Sequence, residues 1–269
     1  MINKDTQLCI SVAAHPSNFG TTIHNAAYRA LGVNFVYKAF AATDISAVLA
    51  GVRGLGIRGC SVSMPFKEAV IRHLDELDPA ARAIGAVNTV VNENGRLIGY
   101  NTDVAGAEKM FTSLDVTPLD HVLLLGAGGM ARAMMYALRR LGIMSVTISN
   151  RDEGRARQLA DQYQAAVIPW GAREFSEASV VVNATSIGMA PESAAAPINV
   201  MQLRACRAVG DAVANPLETA FIRSAREAAK QVALGYSMSL EQAAAQIRLY
   251  TGREAPRETI DAALRELLG

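Results

Sequence analysis

Cysteine is scarce in this sequence, with only three in 269 residues: Cys9, Cys60 and Cys206. They lie far apart, form no Cys-x-x-Cys motif and belong to no cysteine/histidine cluster. This pattern excludes a disulfide framework and disfavours a structural zinc site. We therefore expect three free, buried thiols and no bound metal.

An excess of charge of either sign is also absent. The chain has 26 Lys and Arg residues against 25 Asp and Glu residues, which gives a formal net charge of +1. No basic stripe interleaved with aromatic residues is present, so we expect no nucleic-acid partner. The hydrophobic fraction of 51% and the charged fraction of 19% are instead typical of a folded globular protein.

Long apolar runs are missing as well. The run at residues 8–14 is too short to span a membrane, and the residues before it lack the charged start and cleavage site of a signal peptide. These features predict a cytoplasmic protein that does not associate with membranes. The length is sufficient for two domains of ordinary size, and the sequence leaves the choice between monomer and homodimer open.

Short apolar runs alternate with helical stretches along the whole chain, which predicts an α/β fold with parallel strands. In the first half we predict strands at 8–12, 35–39 and 59–63, and helices at 22–31, 44–55 and from Pro65 to Leu74. Two further strands, at 87–91 and 97–100, flank Glu93-Asn94-Gly95. This segment predicts a hairpin because Asn-Gly accepts positive φ angles.

The second half repeats the alternation with a clearer strand–helix period. We predict strands at 121–125, 145–149, 180–183 and 209–213, and helices at 130–141, 153–163, 221–229, 240–250 and 257–268. The pattern changes between residues 103 and 118, which is where we predict a domain boundary.

One glycine-rich turn has the spacing of a dinucleotide-binding motif. Gly126-Ala127-Gly128-Gly129-Met130-Ala131 fits G-x-G-x-x-(G/A) and lies between a predicted strand and a predicted helix. Gly126 permits the tight turn, Gly128 lets the backbone approach a pyrophosphate, and Ala131 lets the helix pack on the sheet. The free N–H groups at the start of the predicted helix then face the negative charge of the pyrophosphate. The alternative is a glycine turn that only packs.

The end of the next strand indicates which nicotinamide cofactor is bound. Asn150, Arg151 and Arg155 favour the 2′-phosphate of NADP, because arginine accommodates a phosphate at this position. Asp152 would suit the ribose hydroxyl of NAD instead. We predict NADP, with NAD possible, and the alternative for both arginines is a solvated helix start.

Hydride transfer at a carbonyl carbon requires a group that moves a proton at the oxygen. Lys67 is one candidate, since it lies just inside a predicted helix where the helix dipole disfavours a cation. Asp103 is the other, and a pair of this kind would orient the ammonium and tune its pKa. The alternatives are an exposed surface lysine and an aspartate that caps the following helix.

Nine segments occur in the order found in one family, and the chain resembles shikimate dehydrogenases over nearly its whole length. The segments are Ile23-His24-Asn25, 61–67, 85–89, 99–103, 126–133, Asn150-Arg151, 183–189, Asn215-Pro216 with Thr219, and 235–243. The resemblance implies two α/β domains around a cleft, the second a Rossmann-type dinucleotide-binding domain. It places residues 1–103 and 237–269 in the substrate domain, residues 104–236 in the NADP domain, and implies NADP-dependent interconversion of 3-dehydroshikimate and shikimate.

The resemblance also implies roles for individual residues. Lys67 matches the catalytic lysine and Asp103 its partner. The substrate-binding residues would be Asn18, Thr22, Ser63, Asn88 and Gln242. The cofactor-binding residues would be Gly126, Ala127, Gly128, Gly129, Met130, Ala131, Asn150, Arg151, Arg155, Thr185, Ser186, Met189, Gly235 and Met238. Two alternatives stay open: Ser239-x-x-Gln242 is also a capping box, and Asn88 could hold its loop by backbone hydrogen bonds.

Three departures from the family pattern concern the substrate pocket. The carboxylate-binding Ser-x-Ser is Asn18-Phe19-Gly20 here, the strand-end Asn-Val-Thr is Ser61-Val62-Ser63, and Ala214 replaces the usual tyrosine. These changes indicate a divergent, shikimate dehydrogenase-like subgroup. Quinate, an amino-substituted analogue or another polyol acid remain alternative substrates, and a nicotinamide-binding sensor with vestigial catalysis remains an alternative function. A methylene-folate dehydrogenase matches the segments less well.

Overall fold

The computed structural model describes residues 2–268 and divides the chain into two compact units. The first comprises Met1–Thr102 with Leu240–Gly269, and the second comprises Asp103–Ser239. The boundaries predicted from the sequence, 103/104 and 236/237, stand one and three residues away from these.

The first unit is built on a six-stranded mixed sheet with the order β2-β1-β3-β5-β6-β4. Its strands are β1 (Gln7–Ala13), β2 (Phe35–Ala41), β3 (Gly59–Val62), β4 (Glu76–Leu77), β5 (Thr89–Glu93) and β6 (Arg96–Tyr100). Its helices are α1 (Phe19–Ala30), α2 (Ile45–Gly54), α3 (Pro79–Ile84) and α9 (Arg257–Leu268), with a 3-10 helix at Ala69–His73. The predicted hairpin is confirmed: β5 and β6 pair antiparallel, and Asn94 and Gly95 have φ angles of 54° and 92°.

The predicted helix from Pro65 to Leu74 is wrong. The residues that follow β3 form turns, and only Ala69–His73 is helical, in a 3-10 turn. The carbonyl of Lys67 accepts a hydrogen bond from the backbone N–H of Val87 at 2.8 Å, so it serves a neighbouring segment rather than a helical ladder. Lys67 is therefore not at a helix N-terminus, and the electrostatic reason for selecting it no longer applies.

The second unit contains a six-stranded parallel sheet with the order β12-β11-β10-β7-β8-β9. Its strands are β7 (Val122–Leu125), β8 (Val146–Ser149), β9 (Ala166–Val167), β10 (Val180–Asn183), β11 (Ala208–Asp211) and β12 (Gln231–Ala233). Its helices are α4 (Asp103–Ser113), α5 (Gly129–Arg140), α6 (Glu153–Tyr163) and α7 (Ala220–Glu227), with 3-10 helices at Trp170–Phe175 and Val200–Gln202; α8 (Gly235–Thr251) begins here and ends in the first unit. Counted from β7, this is the strand order of the Rossmann fold, which confirms the predicted fold class.

Cys9, Cys60 and Cys206 lie buried as free thiols. Burial raises the pKa of the Cys9 thiol to about 12, so that thiol stays protonated at neutral pH. Between residues 2 and 268, no helix is long and apolar enough to cross a membrane. Within the same range, no group of three or more His, Cys, Asp or Glu side chains is arranged to hold a metal ion.

Candidate active site

Several polar residues of the first unit lie at one edge of its sheet. Strand β5 runs antiparallel to both β3 and β6, so the end of β3, the start of β5 and the end of β6 lie at the same edge. Two backbone bonds fix Asn88 at this edge: it accepts from Val62 N–H at 2.7 Å and donates to the carbonyl of Tyr100 at 3.1 Å. Ser63 follows β3 at the same edge and is exposed.

The Asn88 side chain is the centre of a polar cluster. It is 2% exposed, and its Oδ1 accepts hydrogen bonds from Thr102 N–H at 2.8 Å, from the Thr89 hydroxyl at 2.8 Å and from the Thr102 hydroxyl at 3.1 Å. The Gln242 amide nitrogen lies 3.5 Å from the Thr102 hydroxyl. Two of the predicted substrate residues, Asn88 and Gln242, are thus brought together around Thr102.

The capping-box alternative for Gln242 is excluded by the start of α8. The helix begins at Gly235, so Ser239 lies inside its first turns and does not precede it. Gln242 is half-buried, and Gln246 and Tyr250 follow it on the same face at four-residue intervals. Gln246 is not among the predicted site residues, although the i, i+4 repeat of glutamine in this helix is visible in the sequence.

Around the segment that replaces the family's Ser-x-Ser, two hydroxyl groups accept backbone hydrogen bonds, and Asn18 caps no helix. The Ser17 hydroxyl accepts from Phe19 N–H at 3.3 Å, and the Thr21 hydroxyl accepts from Ala39 N–H at 3.2 Å. Asn18 is exposed, precedes α1 and makes no side-chain capping bond, and Thr22 is half-buried in the first turns of α1.

Gly20 lies against an aromatic ring. A Cβ atom at this position would be 3.0 Å from a ring carbon of Tyr37 and 3.1 Å from its hydroxyl oxygen. A serine in the family's position would therefore press on Tyr37, which is itself 2% exposed.

The two predicted catalytic residues occupy different units. Lys67 is half-buried in the turns after β3, and its backbone is tied to Val87, the neighbour of Asn88. Asp103 is 3% exposed and is the first residue of α4. A carboxylate in this first turn interacts favourably with the helix dipole.

The glycine motif of the second unit lies at the carboxyl ends of β7 and β10, where the strand order reverses. Gly126 has a φ of 118°, and a Cβ there would be 3.0 Å from the carbonyl oxygen of Ala184 after β10. Gly128 precedes α5, carries no side-chain cap, and has open space where its Cβ would be. Backbone N–H groups at the start of α5 can therefore be approached closely, which is the requirement for holding a pyrophosphate.

The remaining residues of this motif support the turn. Gly129 is the first residue of α5, Ala131 is fully buried, and Ala127 is 3% exposed in the core, against which Met130 packs. Small side chains at Ala127 and Ala131 let α5 lie close to the sheet.

The turn after β8 exposes two guanidinium groups. Asp152 precedes α6, and its Oδ1 accepts from Arg155 N–H at 3.1 Å, while the Asn150 amide donates to the carbonyl of Asp152 at 2.8 Å. Arg151 and Arg155 are exposed at the same turn. The Asp152 carboxylate is thus engaged in capping α6, which is a structural reason for its presence.

Hydrogen bonds to Asp211, a residue that is not among the predicted site residues, hold the loop after β10. The Asn183 amide donates to Asp211 at 2.9 Å, and Asn183 Oδ1 accepts from the backbone and hydroxyl of Thr185 at 3.0 and 2.6 Å. Asp211 also accepts from the Thr219 hydroxyl at 2.6 Å and from Val213 N–H at 3.0 Å. Thr185 is half-buried on this loop, and Ser186 and Met189 are exposed. An aspartate at the end of a short, buried and otherwise uncharged strand was the available signal.

This buried carboxyl gives a testable pH dependence. Burial raises the pKa of Asp211 to about 6 from 3.8, although its hydrogen bonds act in the opposite direction. The folded state therefore binds more protons than the unfolded state between these values, and stability falls as pH rises through this window, by about 3 kcal/mol in total. We expect the difference in unfolding free energy between wild type and Asp211→Asn to decrease by most of this amount from pH 4 to pH 7 in urea titrations. Asp5→Asn, at an exposed position, is the control, and a flat difference for Asp211→Asn would contradict the assignment.

Two residues at the start of α8 are packed against the second unit's own backbone. A Cβ at Gly235 would lie 2.4 Å from the carbonyl oxygen of Val213. Met238 is 3% exposed and contacts Gly106 of α4, where a Cβ would be 2.5 Å from the Met238 side chain. The structure thus places Met238 in the core of this unit.

Comparison with known proteins identifies the family. Family models match three segments: the shikimate dehydrogenase substrate binding domain at residues 17–90, shikimate/quinate 5-dehydrogenase at residues 106–206, and the shikimate 5′-dehydrogenase C-terminal domain at residues 235–265. A shikimate dehydrogenase-like protein of Haemophilus influenzae is 43% identical over 97% of this chain and 96% of its own.

Two solved structures extend the comparison. Shikimate 5-dehydrogenase from Thermus thermophilus, in complex with NADP(H) and shikimate, is 33% identical with a TM-score of 0.87 over 97% of this chain and 99% of its own. Quinate dehydrogenase from Corynebacterium glutamicum, in complex with NAD, is 30% identical with a TM-score of 0.90 over the same shares. On these matches and its two-unit architecture, the chain belongs to the shikimate dehydrogenase family of oxidoreductases.

Proposed function

We propose that the protein is an NADP-dependent oxidoreductase that interconverts 3-dehydroshikimate and shikimate, or a close cyclic hydroxy-acid and its ketone. The observation that carries this proposal is the position of Lys67 relative to the polar cluster. Its backbone is fastened to Val87, one residue from Asn88, at the sheet edge where Asn88, Thr102 and Gln242 meet. An ionisable residue on a segment held next to hydrogen-bonding amides is suited to proton transfer at a substrate oxygen.

The residues of the second unit fit NADP. The uncapped start of α5, the open space at Gly128 and the exposed Arg151 and Arg155 offer N–H donors and guanidinium groups suited to a pyrophosphate and a 2′-phosphate. Thr185, Ser186, Met189, Gly235 and Met238 complete the set that the family resemblance assigns to the cofactor. NADP, when bound, supplies the hydride or takes it up.

The substrate-side residues divide the remaining work. Lys67 gives a proton to the carbonyl oxygen during reduction and removes it during oxidation, while Asp103 orients the ammonium. Asn88, Ser63 and Gln242 hold hydroxyl groups of the ring, and Asn18 with Thr22 bind the carboxylate in place of the family's serines. This division rests on the resemblance, together with the exposure of Asn18 and the cluster around Thr102.

The two arginines give a direct test of cofactor preference. We expect Arg151→Ser with Arg155→Ser to raise the dissociation constant for NADP by about 30-fold or more, because two charge-assisted contacts to a phosphate are lost. Affinity for NAD, which lacks that phosphate, should change by less than about threefold on the same grounds. Fluorescence titration of both cofactors measures this, with the exposed Arg204→Ser as control. An equal loss for NAD and NADP would assign the arginines to the fold instead.

The function itself is tested by steady-state oxidation of shikimate and quinate with NADP and with NAD. Saturable turnover of shikimate that prefers NADP would support the proposal and would mean that Asn18 and Thr22 replace the missing serines. Faster turnover of quinate would favour the alternative of a quinate or other polyol-acid dehydrogenase, as in the NAD-bound Corynebacterium relative. Tight NADP binding without turnover of any cyclic hydroxy-acid would favour a nicotinamide-binding sensor with vestigial catalysis.

A further inference from the structure

A chain of buried hydrogen bonds runs from α1 through α8 to the polar cluster. The His24 ring nitrogen Nε2 lies 3.2 Å from Gln246 Oε1, and Gln246 Nε2 lies 2.8 Å from the Thr89 hydroxyl. The Thr89 hydroxyl lies 2.8 Å from Asn88 Oδ1. His24, Thr89, Gln246 and Asn88 are each 3% exposed or less, so water cannot substitute for these partners.

The His24 end of the chain has a defined polarity. The ring is stacked on Tyr37 with centroids 4.2 Å apart, and burial lowers its pKa to about 3, so the ring is neutral and carries one N–H. Among the described residues Nδ1 has no hydrogen-bond partner, and a proton there would be a buried, unsatisfied donor. The proton therefore belongs on Nε2, which donates to Gln246 Oε1.

The orientation of the Gln246 amide follows from this and from a second contact. Its nitrogen lies 3.5 Å from the backbone carbonyl of Asn88, and a carbonyl oxygen only accepts. With the nitrogen donating to Thr89, the Thr89 hydroxyl proton is available to Asn88 Oδ1. The far end agrees independently, because the backbone N–H of Thr102 can only donate, and it points at the same Oδ1.

We propose that Gln246 is a positioning residue that, through Thr89, transmits a single hydrogen-bond direction from His24 to Asn88 and so orients the Asn88 carboxamide to offer an N–H donor to the substrate. A substrate oxygen bound at Asn88 then has to accept a hydrogen bond from the Asn88 amide. This inference rests on the substrate role proposed above for Asn88. Gln246 and Thr89 touch no substrate in it; together with the Thr102 N–H, they hold Asn88 Oδ1 in place as an acceptor.

Thr89 offers the matched pair of variants that tests the chain. Thr89→Val keeps the shape and the β-branching that suits β5 but removes the hydroxyl, whereas Thr89→Ser keeps the hydroxyl. We expect Thr89→Val to raise the KM for the hydroxy-acid about tenfold, with kcat and the NADP dissociation constant changed less than about threefold. Thr89→Ser should restore the wild-type KM, and Gln246→Met should resemble Thr89→Val. An unchanged KM in Thr89→Val would overturn the proposal, and so would an equal rise of the KM in Thr89→Ser. A purely structural role of Thr89 would lower the melting temperature and leave the KM unchanged.

A second measurement separates this inference from the proposed function. ¹⁵N NMR of histidine-labelled protein reports the protonation of each His24 ring nitrogen without any substrate. A neutral ring protonated on Nε2 between pH 5 and pH 9 supports the chain even where no hydroxy-acid is turned over. A ring protonated on Nδ1, or a cationic ring, overturns it even where shikimate is turned over.

Discussion

Replacing Lys67 with methionine should lower kcat for the hydroxy-acid by about 10²–10⁴-fold, the range that general acid–base catalysis contributes. Methionine keeps most of the length of the side chain but removes the ammonium group that we propose gives a proton to the substrate carbonyl oxygen during reduction and takes it back during oxidation. The backbone of residue 67 should stay in place, because its carbonyl is held by Val87 N–H. Stopped assays with saturating substrate and NADP measure the change.

The matched control is Lys109→Met, which removes an exposed lysine from α4. It should leave kcat within about twofold, as substitutions at exposed sites outside functional contacts usually do. NADP affinity should be unaltered in both variants. Full turnover in Lys67→Met would remove this lysine from the mechanism, whereas loss of turnover together with NADP affinity would indicate a folding defect.

Replacing Gly235 with alanine should destabilise the second unit by about 3 kcal/mol, at the upper end of the usual cost of overpacking. The added Cβ would lie 2.4 Å from the carbonyl oxygen of Val213 and 2.6 Å from the backbone of Ala212. Both neighbours are main chain just after β11, so no side-chain rotation relieves the contact. The expected fall in melting temperature is about 6–12 °C, measured by differential scanning fluorimetry.

Gly51→Ala in α2 is the control for this prediction. Apart from its chain neighbours and the backbone of its own helix, no atom lies within 4 Å of a Cβ at Gly51. Alanine is also the better helix former, so stability should be unchanged or rise by up to about 1 kcal/mol. An unaltered melting temperature in Gly235→Ala would mean that α8 shifts away from β11 at little cost.

Much of the second unit could be predicted from the sequence because its signals are local. Helix α6 and strand β10 have the predicted bounds, and the glycine turn after β7 lies where its motif places it. Strands β9 and β12 were missed because two or three residues are too few to show an alternation. They exist through pairing with β8 and β11, which is a tertiary interaction.

The segment after β3 and the start of α8 are two places where prediction from the local pattern fails. The predicted helix after Pro65 is absent because the Lys67 carbonyl serves Val87, twenty residues further along the chain. The capping-box alternative for Gln242 failed because α8 begins at Gly235, against the end of β11, and not at Ser239. In both cases a segment distant in sequence changes the local structure. It either hydrogen-bonds to a backbone group that the local pattern places in a helix, or packs against a residue that the local pattern leaves outside one.

The sequence by itself determined the family, the α/β class and the dinucleotide motif, because periodicity, glycine spacing and the order of the nine segments are properties of the chain read in one dimension. Only the tertiary structure decided that Asn88 Oδ1 accepts hydrogen bonds from Thr89 and Thr102, and that Thr89 is in turn bonded to Gln246 and Gln246 to His24. Residues joined by these hydrogen bonds are up to 222 positions apart in the sequence. Hydrogen-bond direction depends on which donors and acceptors burial brings within about 3 Å, and no spacing rule along the sequence contains that information.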